Sequence, residues 1–261
     1  MKFLALTISI FLISSATQGM DQLTFTTQDF GPFHMDSPAG VRGPVVDIVN
    51  KACDEQAINC RIQLFPWRRT LQLAQDGAVN GLFVVGRNPE RESWLYFSGP
   101  IVATEYGFFV PLSDQKNYQR LEDFANFRVG VYGPSNTSRA LSQIAQSLGS
   151  LTLEMAADDL DGFRKLNANR IQAVYSNKSV GIYTSSQLAL TNVRYAYSDR
   201  KLLYYIGFVK SSTPKQLVNR FNEALASMYL RGELQDILLR QGLTPAKPSS
   251  VTEILYGQTG K

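Results

Sequence analysis

Gly81-Leu82-Phe83-Val84-Val85 decides the fold. It is a continuous apolar run of strand length with no polar alternation, which suits a parallel strand buried on both faces. Upstream, Arg69 to Asp76 predicts a helix with Leu71, Leu73 and Ala74 inward and Gly77 as its stop. Before it, Arg61 to Phe65 predicts a strand ended by Pro66. Val45, Val46, Ile48, Val49 and Ala52 lie at helical spacing and predict a helix from Pro44 to Glu55. Leu23 to Thr27 is β-rich and half alternating. Strand, helix, strand, helix, strand is the pattern of an α/β sheet with crossover helices.

Downstream the rhythm repeats. Tyr106–Val110, Arg128–Tyr132, Leu151–Met155, Ile171–Tyr175 and Leu203–Val209 read as strands. Helices are predicted after Ser135-Asn136-Thr137, over Leu160–Leu166, after Thr213-Pro214, and around Leu234 to Leu239. The tail from Pro245 reads as loose. No Gly/Ser-rich linker separates the two α/β units, and the junctions near Ala103-Thr104-Glu105 and Arg200 to Tyr204 are strand-like. The expectation is two lobes joined by crossing strands, with a ligand cleft between them.

Composition narrows the function. The 261 residues carry 26 Lys+Arg against 22 Asp+Glu, a spread excess of +4 too weak to argue for nucleic acid. One histidine and two cysteines leave no His/Cys zinc site. A Ser-His-Asp or Cys-His enzyme would have to run through His34, which has no partner at triad spacing and reads as a structural loop residue at the cleft mouth.

Met1-Lys2, the apolar stretch Phe3–Ile13 and the small residues Ser14, Ser15, Ala16 and Gly19 form a secretory signal peptide over residues 1–19. Export to an oxidising compartment makes the close pair Cys53 and Cys60 read as a disulfide. So small a loop is worth about 2.5 kcal/mol on a chain-entropy estimate.

Phe30-Gly31-Pro32-Phe33, Gly40, Gly43 and Val46-Asp47-Ile48 together resemble the opening of the type 3 family of bacterial extracellular solute-binding proteins. The likeness continues through Asn88-Pro89-Glu90-Arg91-Glu92, Phe97-Ser98-Gly99-Pro100, Gly133 to Thr137, Arg170 to Asn177 and Gly232 to Gly242. The Cys53/Cys60 spacing matches a disulfide of some members. The resemblance implies a type II periplasmic-binding-protein fold, with lobe 1 over 20–104 and 203–245, lobe 2 over 105–202, and a tail over 246–261. It also implies capture of a carboxylate-bearing solute, an amino acid or related acid. Delivery would be to an ABC permease or a membrane sensor, by a monomer without cofactor or metal.

The resemblance assigns Arg91 to a ligand carboxylate, and a guanidinium fork suits that task. Its alternative is a surface pair with Glu90 or Glu92. Phe30 matches an aromatic lid and Trp67 an apolar residue on the opposite wall, so the two are set to sandwich a ligand; ordinary core packing is the other reading. Arg68 is either a second cleft cation or a solvated charge. Ser135, Asn136 and Thr137 open a helix whose N–H groups favour an anion, or serve only as its cap. Four positions depart from the family pattern. Thr27 and Asn177 stand where amino-acid binders tend to have carboxylates, Gly86 replaces a hydroxyl residue, and Asn80 replaces an aspartate. Asp29, Glu105 and Asp159 are the candidates to restore a negative charge. Without one, the site should prefer a carboxylate lacking an adjacent ammonium. A dehydratase-like enzyme on the same fold needs a general acid in the cleft, and no poised carboxylate is evident in the sequence.

Overall fold

The structure is a computed structural model that describes residues 21–256. The signal peptide expected over residues 1–19 lies outside the described residues. The first half of the chain folds as β1 (Gln22–Thr27), α1 (Pro44–Glu55), β2 (Asn59–Leu64), α2 (Trp67–Gln75), β3 (Gly81–Gly86), α3 (Pro89–Trp94), β4 (Leu95–Phe97) and β5 (Val102–Pro111). Next come β6 (Arg128–Tyr132), α4 (Asn136–Leu148), β7 (Thr152–Ala156), α5 (Asp159–Asn167), β8 (Ala173–Asn177) and α6 (Lys178–Gln187). The chain ends through β9 (Val193–Val209), α7 (Lys215–Leu230), α8 (Glu233–Leu239), β10 (Thr244–Pro245) and α9 (Val251–Tyr256).

The strands run in the order β2-β1-β3-β9-β5-β8-β6-β7. β1 lies parallel between β2 and β3, and β6 lies parallel between β7 and β8. Between these two parallel groups run β9 and β5, antiparallel to each other from Val102–Tyr204 to Pro111–Val193. They are the crossing strands. β9 pairs with β3 through its C-terminal half, and β5 pairs with β8 through Tyr106–Phe109, so one ribbon serves both lobes.

Each lobe has its own apolar core. Phe25, Ile48, Phe83, Phe208 and Phe221 centre the first, where α1 and α7 cover one face of the sheet. Phe108, Phe124, Leu141 and Tyr175 centre the second. Cys53 at the end of α1 and Cys60 in β2 are joined by a disulfide, with Cα atoms 6.2 Å apart.

The sequence reading had no counterpart for α3, β4 and β10, and three other stretches differ from it. α6 was not expected, because Lys178–Gln187 has no apolar stripe; Asn177 starts it as a side-chain cap. β9 begins ten residues before the expected Leu203, because its polar first half faces solvent on the crossing ribbon. The tail is packed rather than loose. Ala246 and Ile254 are buried, and α9 lies on α7. Ser250 and Glu253 form the start signal of α9: the Glu253 N–H donates to Ser250 Oγ at 3.1 Å, and the Glu253 carboxylate accepts from Ser249.

Candidate functional site

The site is built at the carboxyl ends of the parallel strands. Thr27 ends β1, Gly86 ends β3, Tyr132 ends β6 and Asn177 ends β8. Trp67 follows β2 and Asp159 follows β7. All six line one cleft of about 530 Å³, together with Phe30, His34, Arg91, Ser135, Asn136 and Thr137. This convergence is the general rule for open α/β sheets.

Arg91 is the most informative side chain. It lies in the short helix α3, where Asn88 caps the turn by accepting the Arg91 N–H at 2.8 Å. Its guanidinium donates to the Gly86 carbonyl at 2.8 Å and sits 5.5 Å from the Trp67 ring. The residue is 5% exposed, and among the described residues no carboxylate pairs with it. The Glu90 and Glu92 alternative is therefore excluded: Glu90 pairs with Arg139 and Glu92 with Arg87. Burial pulls the Arg91 pKa below its ordinary value.

Trp67 is core and wall at once, buried under α2 while its face carries Arg91. Phe30 packs on Phe33 and Tyr204 and borders the same cleft. Ser135 is the side-chain cap of α4, in reciprocal hydrogen bonds with Ser138. The N–H groups of Asn136 and Thr137, at the start of α4, make no hydrogen bond to another described group. Gly86 meets Asn136 across the cleft: a Cβ there would stand 3.0 Å from Asn136 Nδ2. Arg68 is not in this cleft; it is exposed and borders a neighbouring hollow beside Arg91 and Arg139.

Asn177 is present but fully engaged. Its Oδ1 accepts the Ser179 and Val180 N–H groups, and its Nδ2 donates to Thr104 Oγ1 at 2.9 Å and Tyr204 Oη at 3.1 Å. Asn80 lies away from the cleft. It accepts from the Thr24 N–H and donates to the Ser212 carbonyl, both at 2.8 Å, a double role that an aspartate lacks.

Of the three candidate carboxylates, only Asp159 lines the cleft. Glu105 is paired with Lys178 at 2.8 Å, and Asp29 is exposed in the adjoining hollow. The Asp159 carboxylate accepts from Ser176 Oγ at 2.9 Å, and burial pushes its pKa up to about 6. His34 is a correction in one respect: it lies in the loop between β1 and α1 as expected, but it is fully buried against the cleft instead of standing at its mouth. Its Nε2 shares a 2.8 Å hydrogen bond with Thr27 Oγ1, and burial pulls its pKa down to about 3.

Polar contacts span the cleft. Tyr132 Oη donates to Gln28 Oε1 at 3.0 Å, Arg139 pairs with Glu90 at 3.0 Å, and Asn88 Nδ2 donates to Asn136 Oδ1 at 3.4 Å. The lobes are thus closed on each other. The sequence reading missed Tyr106, Tyr132, Ser176 and Tyr204 as lining residues. Tyr132 and Ser176 stand at the carboxyl ends of predicted strands, and that position was the available signal.

A two-lobed α/β fold with a closed polar cleft on a two-stranded crossing is a periplasmic-binding-protein fold. The profile of the bacterial extracellular solute-binding proteins, family 3, matches residues 24–241, and the chain belongs to that family. No curated protein matches the chain. Among solved structures it is similar to a histidine kinase sensor domain that itself resembles periplasmic binding proteins (18% identity, 87% of this chain and 98% of that one, TM-score 0.77). It is similar to an amino acid ABC transporter substrate-binding protein from Streptococcus pneumoniae bound to L-arginine (17%, 90% and 96%, TM-score 0.72). A third similar structure is an ancestral amino acid-binding protein described as a precursor of cyclohexadienyl dehydratase (17%, 84% and 94%, TM-score 0.72). Among the described residues no helix is long and apolar enough to cross a membrane.

Proposed function

We propose that the protein is exported to the periplasm, captures a small carboxylate-bearing solute between lobes 20–104 with 203–245 and 105–202, and delivers it to an ABC transporter. One observation carries this reading: Arg91 is a buried cation lining the cleft, and among the described residues no carboxylate is paired to it. A desolvated guanidinium without a counter-charge is costly, and an incoming carboxylate removes the cost with two charge-assisted hydrogen bonds. The N–H groups opening α4 face the same space and add to the anion site.

The test is a thermal-shift screen of small carboxylates followed by calorimetry on Arg91→Ala. The expected loss is on the order of 3 kcal/mol or more. Wild-type affinity in a folded Arg91→Ala protein overturns the assignment. Closure is checked by small-angle scattering with and without a ligand from the screen: the radius of gyration should fall on binding, and an unchanged value, with an already closed ligand-free form excluded, overturns it.

A second reading, an enzyme on this fold, is favoured by one observation. Asp159 is a cleft carboxyl with a pKa near 6, as a general acid requires. Incubation with cyclohexadienyl carboxylates decides it. Product formed by wild type and lost in Asp159→Asn supports catalysis, and no product leaves capture as the function.

A further inference from the structure

Two charges in the cleft lack a counter-charge from the protein, and they have opposite sign. Arg91 is paired with no carboxylate and Asp159 with no cation among the described residues, although both line the same space. No salt bridge joins them to each other. Arg91 stands in α3 of the first lobe and Asp159 in α5 of the second, and only Asp159 also lines the larger hollow beyond the cleft. Gly86, Trp67, Tyr106, Tyr204 and the start of α4 share the cleft with Arg91, and the charged groups that act on it, Glu90 and Arg139, are paired with each other. The hollows that continue from this end carry Arg68, Arg87, Arg139 and Arg200 against one carboxylate, Glu90, which is paired with Arg139.

The other end differs. Beyond Asp159 the cleft opens into a hollow of about 1350 Å³, which shares Gln28, Phe30, Trp67, Tyr132 and Asp159 with the cleft but not Arg91 or Ser135–Thr137. Asp29, Asp36, Asp158 and Asp159 line it, with Tyr183 and Phe65, and no lysine or arginine does. The cleft is therefore polarised along its length, positive at Arg91 and negative from Asp159 outward.

Asn177 fixes where a ligand's positive charge can sit. Its amide is held by Thr104, Tyr204 and the start of α6, so an ammonium close to the Arg91-bound carboxylate meets a neutral, occupied group. The one cleft carboxylate among the described residues is Asp159.

We propose that the cleft selects an extended ω-cationic carboxylate, an ω-amino or ω-guanidino acid, whose carboxylate lies on Arg91 and the start of α4 and whose cationic group lies on Asp159. Trp67 and Phe30 flank the methylene chain between the two charges. The acidic hollow accommodates variation in length beyond Asp159. This proposal rests on the reading of Arg91 as a carboxylate site.

Titration of the mature protein with pentanoate, α-aminopentanoate, ω-aminopentanoate and the ω-guanidino analogue tests it. The ω-cationic acids should bind about tenfold or more tighter than pentanoate, and tighter than α-aminopentanoate. Asp159→Asn should remove that advantage while pentanoate binding holds or improves. Carboxylates that bind through Arg91 with no ω-cation preference, or a preference for the α-amino acid, overturn this proposal alone. A preference that survives Asp159→Asn overturns it as well. Failure of all four to bind a cooperatively melting protein removes the Arg91 reading with it.

Discussion

The two ends of the cleft do the same electrostatic work in opposite ways. At Arg91 the charge is enclosed: the residue is 5% exposed, stacked on Trp67 and tied to the Gly86 carbonyl. At Asp159 the charge borders a solvent-open hollow with three further carboxylates. The enclosed end fixes one group in one geometry, since a fork held on two sides accepts a planar anion and little else. The open end recognises sign and tolerates size. Neither end is matched by its own protein, so the energy of holding two uncompensated charges is released only when a ligand arrives.

His34 lies on the floor between these ends, and it supplies the largest effect that does not involve ligand. Its pKa is near 3 in the fold against an ordinary 6.5, because burial disfavours the imidazolium. Between those values the unfolded chain binds a proton that the native protein does not. Stability is therefore full above the ordinary histidine range and falls as the pH drops below it, by roughly 2–3 kcal/mol at about pH 4.5. Thermal unfolding across that range should show the loss in wild type and a shallower slope in His34→Gln. Equal slopes would place the acid sensitivity elsewhere.

Asp159 has the opposite sign. Its pKa is raised from 3.8 to about 6, so ionising it opposes folding and the native state loses stability as the pH rises through that interval. In the ligand-free protein Asp159→Asn should raise stability by about 1–2 kcal/mol at neutral pH, the lower figure reflecting partial solvent contact, and by little at about pH 4. A stabilised variant that has lost its cationic ligand would show that the open end trades stability for recognition. A variant destabilised at neutral pH would show instead that the carboxylate is satisfied without ligand.

Gly86 sharpens the enclosed end. A Cβ there would stand 3.0 Å from Asn136 Nδ2, so Gly86→Ser should push the lobes apart at that point. The expected cost is about 1 kcal/mol in ligand affinity with a small change in melting temperature. An affinity gain on calorimetry would mean that the added hydroxyl reaches the ligand carboxylate and that Asn136 yields.

The sheet was legible because Gly81–Val85, Leu23–Thr27 and the helix Pro44–Glu55 announce their burial through side-chain pattern alone. The helix Lys178–Gln187 was not, since its sequence has no apolar face and its start depends on a cap at Asn177. The same contrast runs through the site. Arg91 and Trp67 were singled out by the family resemblance, and the structure brings the two side chains into contact beside the cleft. Asp159 was visible only as one of three candidate acids. Which of them reaches the cleft depends on β7 lying at the sheet edge beside β6, and pairing of that kind leaves no mark on either strand's composition. Arg68 shows the reverse: its neighbour Trp67 faces the cleft, and the turn of α2 carries the next side chain out to solvent.

The ribbon of β5 and β9 passes unbroken from one lobe to the other, yet its ladder slips at Tyr106/Gly107 and again at Phe108/Phe109. Gly107 lies so close to the Tyr197 carbonyl that a Cβ would stand 2.1 Å from it, so only glycine lets the strands stay together between the slips. A slipped ladder has fewer regular cross-links than the pairing on either side. Gly107 is nonetheless held on both edges, by Ser176 of β8 and Ser198 of β9, so the slips lie inside the second lobe's sheet. The ribbon is alone only where Thr104 and Glu105 face Leu202 and Lys201, and those four residues are the narrowest bridge of backbone pairing between the two halves of the molecule.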